Sequence, residues 1–531
     1  MCRAEGNGLL SLPDCGQDAV DFQGGVRLSV MPASPFQFDN SYARDLPGFS
    51  FPWQPATVPA PDLLYFNRAL ALELGLDPDM LDGPDGAAIF AGNRVPEGAE
   101  PLAQAYAGHQ FGGFSPQLGD GRALLLGEVI NQLGGRRDLM LKGSGRTPFS
   151  RRGDGKAAAG PMLREVLIGE AMHALGLPTS RALAVTATGE TVYRERPLPG
   201  AVLTRVAASH LRVGTFEFFS ARRETDRVRQ LADYAIARHD PDLAGTDDRY
   251  LGLLRRVAQR QATLVAGWMN VGFIHGVMNT DNVAMSGETI DYGPCAFLEA
   301  YDPDAVFSSI DHGGRYAYRN QPSVTRWNLA RLAETLLPLI AGEDSKEAMS
   351  AAIRQATGVI DAFPEWYEGA LLTGQRAKLG LHGGDDAADR ALAGDWLTLL
   401  HDHRVDFTLG WRRLAEAADG DEGPLRPLFT DAQAPDAWLA RWRARAGSEG
   451  NAAADWSERA NLMRRVSPAV IPRNHRVEEA LAAASDHGDL GPFRRLLAAV
   501  QRPYDETPEQ AEYLEPARAE VTACYRTFCG T

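Results

Sequence analysis

His275-Gly-Val-Met-Asn-Thr-Asp-Asn282, with Asp291-Tyr-Gly293 close behind it, decides how the rest of the chain is read. Asn282 and Asp291 put an amide oxygen and a carboxylate on two neighbouring short segments. Hard oxygen donors of this kind suit a divalent cation that bridges phosphates. Asp281, next to Asn282, is the nearby carboxylate that could take a proton from a hydroxyl nucleophile. A chance Asp-Asn turn or a chance Asp-Tyr-Gly turn would explain either piece alone.

Upstream, Lys142 closes the apolar run Leu139-Met-Leu-Lys142. A lysine ending a buried strand is costly unless paired. Glu165, on the next predicted helix, is a natural partner. Two readings stay open, an ordinary surface pair or a strand lysine oriented by a helix glutamate to grip nucleotide phosphates, as in protein kinases. The kinase catalytic loop reads H-R-D-x-x-x-x-N, followed by D-F-G. His275 and Asn282 keep that separation, and Asp291-Tyr-Gly293 stands for the metal-binding triplet. Val277 occupies the place of the kinase base, which leaves Asp281 for that work. Gln117-Leu-Gly-Asp-Gly-Arg122 opens a predicted strand. Gly119 and Gly121 allow close backbone approach to a phosphate and Arg122 adds a forked cation, although a Gly-rich hairpin turn fits equally. An ordered set of Lys142, Glu165, Asn282 and Asp291 is harder to attribute to chance than any member of it.

The chain has 531 residues, room for three or four domains or for one large fold with insertions. Hydrophobic residues at 44% and charged residues at 23% exclude a wholly disordered chain. A net charge of −15 argues against general nucleic-acid binding, and no apolar window is long enough to span a membrane. The acidic first thirty residues fit neither a signal nor a transit peptide, so a cytoplasmic protein is expected, with Met31 a candidate start. Five cysteines without CxxC spacing make a disulfide scaffold or structural zinc site unexpected. Cys524 and Cys529 read as free thiols near the chain end or, more sharply, as a redox switch using Cys529. Gly155-Lys156-Ala157 fails as a P-loop end, because Ser150 stands where the first glycine belongs and Ala157 lacks the hydroxyl. His109 and His312 read as hydrogen-bonded structural histidines.

The predicted elements are an extended arm over 35–62, a helix over 62–74, and strands over 123–130 and 137–142. A helix over 161–175, strands within 180–206 and a helix over 247–271 follow. Short segments carry the central stretch, and a helix over 324–340 precedes a mostly helical remainder. This order predicts a two-lobed α+β body with a helical C-terminal extension. The expected divisions are an irregular extension at 1–34, an arm and nucleotide-binding lobe at 35–215, a helical lobe at 216–380 and a helical extension at 381–531.

Several long motifs resemble the selenoprotein O family. They are Tyr106-Ala-Gly-His-Gln-Phe-Gly112, Gln117–Arg122, Leu141–Lys156, His275–Asn282, Asp311–Tyr318 and Ile471-Pro-Arg-Asn-His475. The resemblance implies a kinase-like fold that transfers AMP from ATP to Ser, Thr or Tyr hydroxyls of proteins, with magnesium or manganese. Carried over residue by residue, it implies nucleotide contacts at Gly119, Gly121, Arg122, Lys142, Asp154, Gly155, Arg205, Arg212 and Asp291. It implies a proton acceptor at Asp281, metal ligands at Asn282 and Asp291, and Glu165 as the partner of the lysine. The first 34 residues have no counterpart, and the chain ends in Cys529-Gly-Thr where some members carry selenocysteine. Attack at the α-phosphorus rather than the γ-phosphorus requires ATP to lie reversed relative to a kinase. The β- and γ-phosphates then need a cationic pocket, which Lys142, Arg122, Arg205 and Arg212 could supply; surface salt bridging is the plainer reading of Arg205 and Arg212. A protein kinase and a nucleotide-binding pseudokinase scaffold are the competing readings.

Overall fold

Apolar runs between glycine turns build an antiparallel sheet, and Lys142 ends one of its inner strands. The computed structural model describes residues 36–449 and 456–528. By its contacts the chain divides into Met1–Ser34 and Pro35–Thr531. The expected N-terminal extension, with Cys2 and Cys15, lies outside the described residues, as does Cys529.

The strands are β1 (Ser50–Pro52), β2 (Asp62–Phe66), β3 (Leu102–Gln104), β4 (Gly108–Gln110), β5 (Gly113–Ser115), β6 (Ala123–Ile130), β7 (Arg136–Lys142), β8 (Ala157–Ala158), β9 (Arg181–Tyr193) and β10 (Pro197–Ala207). The main sheet runs β1-β3-β6-β7-β10-β9-β2, with β8 against β10, and β4 and β5 form a separate hairpin. Register places two cations. Lys142 on β7 lies opposite Leu203 on β10, and Arg205 is two residues further along β10. Positions two apart on a strand share a face, so Lys142 and Arg205 are diagonal neighbours on one side of the sheet. The helix Ala159–Ala174 carries Glu165 and buries Met162, Leu163, Val166 and Leu167.

Two expectations about the first lobe are corrected. The stretch 62–74 is not one helix. Residues Asp62–Phe66 form β2, the edge strand beside β9, because the apolar and aromatic run Leu63–Phe66 suits a half-buried strand. The helix is only Arg68–Glu73, started by Asn67, whose Oδ1 accepts the Leu70 N–H at 3.0 Å. The arm over 35–62 is not wholly extended. It holds the helix Ser41–Asp45 and strand β1, drawn in by burial of Tyr42, Leu46 and Phe49.

The helix Arg249–Val271 ends on Gly272 at φ 73°. The chain then enters β11 (Phe273–Ile274), which pairs with β12 (Ala296–Phe297). The central stretch loops out between them, ahead of the helices Gln321–Ala341 and Lys346–Leu379. Further helices close on a core containing Trp396, Trp411, Trp438 and Trp442. The helices Asn474–His487 and Gly491–Val500 return to pack on Ala159–Ala174. Part of the C-terminal helical region therefore braces the helix that carries Glu165. The result is a mixed α/β structure with one large antiparallel sheet and many helices. Among the described residues, no helix is long and apolar enough to cross a membrane.

Lys378, on the helix Lys346–Leu379, is 3% exposed, with Nζ 5.6 Å from the Trp411 ring centroid. Among the described residues it forms no ion pair with a carboxylate, and burial lowers its pKa to about 7 from an ordinary 10.5. The unfolded chain therefore binds the extra proton between those values, so Lys378 lowers stability as pH falls through that window and does so fully below it. Lys378→Met is expected to stabilise the fold by on the order of 2 kcal/mol near neutral pH and by little near pH ~10.5. Thermal melts of both proteins at the two pH values check this, and a gain that does not depend on pH would contradict it.

Candidate active site

The ion pairs at the end of β7 show why the sheet and the following helix are joined here. Lys142 Nζ contacts Glu165 Oε1 and Asp291 Oδ1. Arg205 Nη2 lies 2.7 Å from Glu165 Oε2 and 3.1 Å from Asp291 Oδ1. Two cations and two carboxylates thus share one largely buried cluster, the arrangement in which burying charge is tolerated. Burial by itself would raise both carboxyls. Arg205 and Lys142 outweigh it at Glu165, holding that carboxyl below its ordinary value. Lys142, Arg205 and Arg122 do the same at Asp291, holding it well below. Asp291 takes a left-handed backbone at φ 69°, uncommon outside glycine. Arg164, beside Glu165, fixes the following turn by donating to the backbone oxygens of Gly293 at 3.1 Å and Cys295 at 2.6 Å.

His275 locks the central stretch from behind. It is 1% exposed, and its Nε2 donates to the Ile290 carbonyl at 3.0 Å. A carbonyl only accepts, so this contact sets the tautomer. The link ties the loop bearing Asp281 and Asn282 to the segment bearing Asp291. Asn282 Nδ2 donates to the Val277 carbonyl at 3.1 Å. Val277 itself is buried. Asp281 has one solvent-shielded oxygen, Oδ1, without a hydrogen-bond partner. Burial pushes its pKa to about 6, against the opposing charge of Arg212 and a hydrogen bond with Gln110. Arg212 donates from Nη1 to the Asp281 carbonyl at 3.1 Å, and its guanidinium lies 4.3 Å from the Tyr106 ring centroid.

The glycine loop approaches from the other side. Gly119 has φ 71°, and a Cβ there would stand 2.2 Å from the Phe149 ring. Gly155 has φ 72°, and a Cβ there would stand 2.1 Å from the Gly145 carbonyl oxygen. Neither site tolerates a side chain without movement. Asp154 is held by Arg194 at 2.8 and 3.1 Å and accepts the Lys156 N–H at 3.0 Å.

Gly119, Gly121, Arg122, Lys142, Asp154, Gly155, Arg205, Arg212, Asp281, Asn282 and Asp291 all line one cleft of about 310 Å³. Glu165 stands just outside it and lines an adjoining cavity of about 1030 Å³, which shares Arg122, Lys142, Arg194 and Asp291 with the first. Seven cationic side chains and four carboxylates line the smaller cleft, in a chain whose net charge is −15. Such a local excess of positive charge selects anions. Among the described residues there is no cluster of three or more His, Cys, Asp or Glu side chains fit to hold a metal. Asn282 and Asp291 offer two oxygen donors, so a cation here would take its other ligands from phosphate oxygens and water.

Sequence reasoning missed several residues here. Asp120, 2% exposed, accepts the Gln104 N–H at 3.0 Å and is raised by burial to about 6. Gln110, Tyr106, Phe149 and Arg194 also line the cleft. Tyr106 and Gln110 lie in a dense Gly-His-Gln-Phe-Gly motif that marks a special loop without assigning roles. Arg194 follows a strand, and no local pattern points to it. His109 is a hydrogen-bonded histidine, contacting Glu217 through Nδ1. His312 is exposed and, among the described residues, forms no hydrogen bond, contrary to expectation, because its loop points it to solvent. Cys295 is buried and Cys524 exposed, and both thiols are free.

The profile of the family described as protein adenylyltransferase SelO matches residues 32–501. A protein nucleotidyltransferase YdiU of Chromobacterium violaceum is 60% identical over 480 residues, covering 90% of this chain and 99% of the relative. One from Cereibacter sphaeroides is 61% identical over 497 residues, covering 93% of this chain and 100% of the relative. One from a Mycobacterium species is 57% identical over 493 residues, covering 93% and 99%. The match spans the glycine loop, the Lys142–Glu165 pair and the Asp281–Asp291 segment, and with it this chain is a nucleotidyltransferase belonging to the protein adenylyltransferase SelO family.

Proposed function

We propose that this chain has a protein-kinase-like two-lobed architecture and transfers AMP from ATP to Ser, Thr or Tyr hydroxyls of proteins. The observation that carries the reading is the cationic cleft that the Asp281 carboxylate also lines. Phosphates need the cations, and a hydroxyl nucleophile needs a base beside them. The strand lysine paired with a helix glutamate, and the Asn282 and Asp291 donors, support the kinase-like architecture.

The reaction follows from these positions. The acceptor hydroxyl oxygen forms a bond to the α-phosphorus while the bond from that phosphorus to the β-bridging oxygen breaks. The electron pair leaves with pyrophosphate. Asp281 accepts the hydroxyl proton, and a carboxylate raised to about 6 is a stronger base than an ordinary aspartate while still ionised at neutral pH. Lys142, Arg122, Arg205 and Arg212 stabilise the charge that grows on the leaving group. Gly119 and Gly121 bring backbone N–H groups to the cleft wall, where phosphates can meet them. Magnesium or manganese would be held by Asn282 and Asp291, and when bound would neutralise phosphate charge and orient the α-phosphoryl group. The Asp291 carboxylate, held well below its ordinary value, is ready for that ligation without losing a proton. A cytoplasmic setting fits this use of ATP.

Parallel incubations with α-³²P-ATP and γ-³²P-ATP test the reading. Label on protein from the α position only is the expected result. Label from the γ position only would replace it with a kinase, and label from neither, with ATP bound, would favour a pseudokinase scaffold.

A further inference from the structure

Thr280, immediately before Asp281, is buried, and its hydroxyl is fully engaged. Its Oγ1 donates to Glu217 Oε2 at 2.5 Å and accepts the His109 backbone N–H at 2.7 Å. The other Glu217 oxygen, Oε1, meets His109 Nδ1. Glu217 is buried, with a side chain 3% exposed, and lies on the helix Val213–Ser220. Arg212, whose guanidinium donates to the Asp281 carbonyl, caps that same helix. Chain neighbours therefore face each other in two rungs. His109 meets Thr280, and Gln110 meets Asp281. The backbone is as close as the side chains. A Cβ on Gly108 would stand 2.5 Å from Asp281 Oδ1, and one on Gly214 would stand 2.1 Å from the Ala107 carbonyl oxygen.

A buried carboxylate costs free energy unless its oxygens are satisfied. Glu217 uses its two oxygens on the β4–β5 hairpin and on the turn Thr280–Asn282 that carries Asp281. No cleft-lining role is left for it, since it does not border the nucleotide cleft. On the reading above, that Asp281 takes the acceptor's proton, we infer that Glu217, Thr280 and His109 form a positioning clamp. The clamp fixes the Asp281 carboxylate in the cleft wall, with its shielded Oδ1 against Gly108. None of the three lines the cleft, so they are positioning residues and not catalytic ones. A misplacement of about 1 Å at a base is enough to cost ~100-fold in rate. The clamp's signature is therefore a loss in kcat with nucleotide binding intact.

The test uses the full chain, α-³²P-ATP and a fixed pool of Ser-, Thr- and Tyr-containing peptides. Thr280→Val keeps shape and removes the hydroxyl, Thr280→Ser keeps the hydroxyl, and Glu217→Gln keeps an acceptor for Thr280. Thr280→Val is expected to lower kcat about 10- to 100-fold with the Kd for ATP and the KM for peptide within about twofold. Thr280→Ser should stay within about threefold of wild type, with Glu217→Gln falling between. His109→Ala, at a partly exposed side chain, keeps the question open to test if the buried variants do not fold. It should lower kcat about threefold or more at unchanged Kd. A Thr280→Val or His109→Ala enzyme that melts earlier but keeps wild-type kcat would overturn the clamp and leave a structural role only. A wild type indistinguishable from Asp281→Ala would instead overturn the parent reading, and the clamp with it.

Discussion

Asp281→Ala is expected to lower AMP transfer by about 10²- to 10⁴-fold, the range general-base groups contribute, while ATP still binds. The side chain's Oδ1 makes no hydrogen bond, so little of the fold depends on it. Its charge also opposes the phosphates across the cleft, so its loss leaves nucleotide affinity unchanged or slightly stronger. Asp281→Asn gives the sharper version. The amide fills the same space but cannot take the proton, so transfer should fall as far as in the alanine variant. Calorimetry for ATP binding and α-³²P transfer for turnover, done on the same preparations, separate the two effects. Transfer by Asp281→Asn within about threefold of wild type would remove this residue from the mechanism.

Lys142→Met carries the second large expected effect. Methionine keeps the length of the stem and removes the charge. Glu165 and Asp291 would then face Arg205 as their remaining partner within the cluster. Removing one member of a buried ion cluster costs about 3–5 kcal/mol, because the carboxylates left behind are uncompensated. The melting temperature should fall accordingly, and the Asp291 carboxyl should move back up. A phosphate contact from a charged donor contributes about 1.5–3 kcal/mol, so ATP affinity should drop roughly 10- to 100-fold. Transfer should fall by at least that factor. Normal ATP affinity in a folded Lys142→Met protein would show that the lysine serves the fold alone.

Much of this arrangement was legible before any coordinates. Strands β6 and β7 and the helix Ala159–Ala174 announce themselves by apolar periodicity and by Gly or Pro at their ends. The misread segment 62–74 shows the limit of that method. Leu63, Leu64, Tyr65 and Phe66 form a run that suits a buried strand or a helix face equally, and pairing with β9 decided between them. Glu217 was invisible for a different reason. It sits between Phe216 and Phe218, and its partners are His109 and Thr280, far away along the chain.

The sequence alone determined which residue types were available for phosphate, proton and cation, and the order in which they occur along the chain. Only the tertiary structure decided that Lys142 and Asp291, separated by 149 positions, touch, and that Asp281 lines one cleft with seven cationic side chains. Local patterns report neighbours within a turn or a strand pair. Burial and ion pairing depend on the path of the whole chain, and here β-sheet register, a helix braced by returning C-terminal helices and a histidine-locked loop set that path.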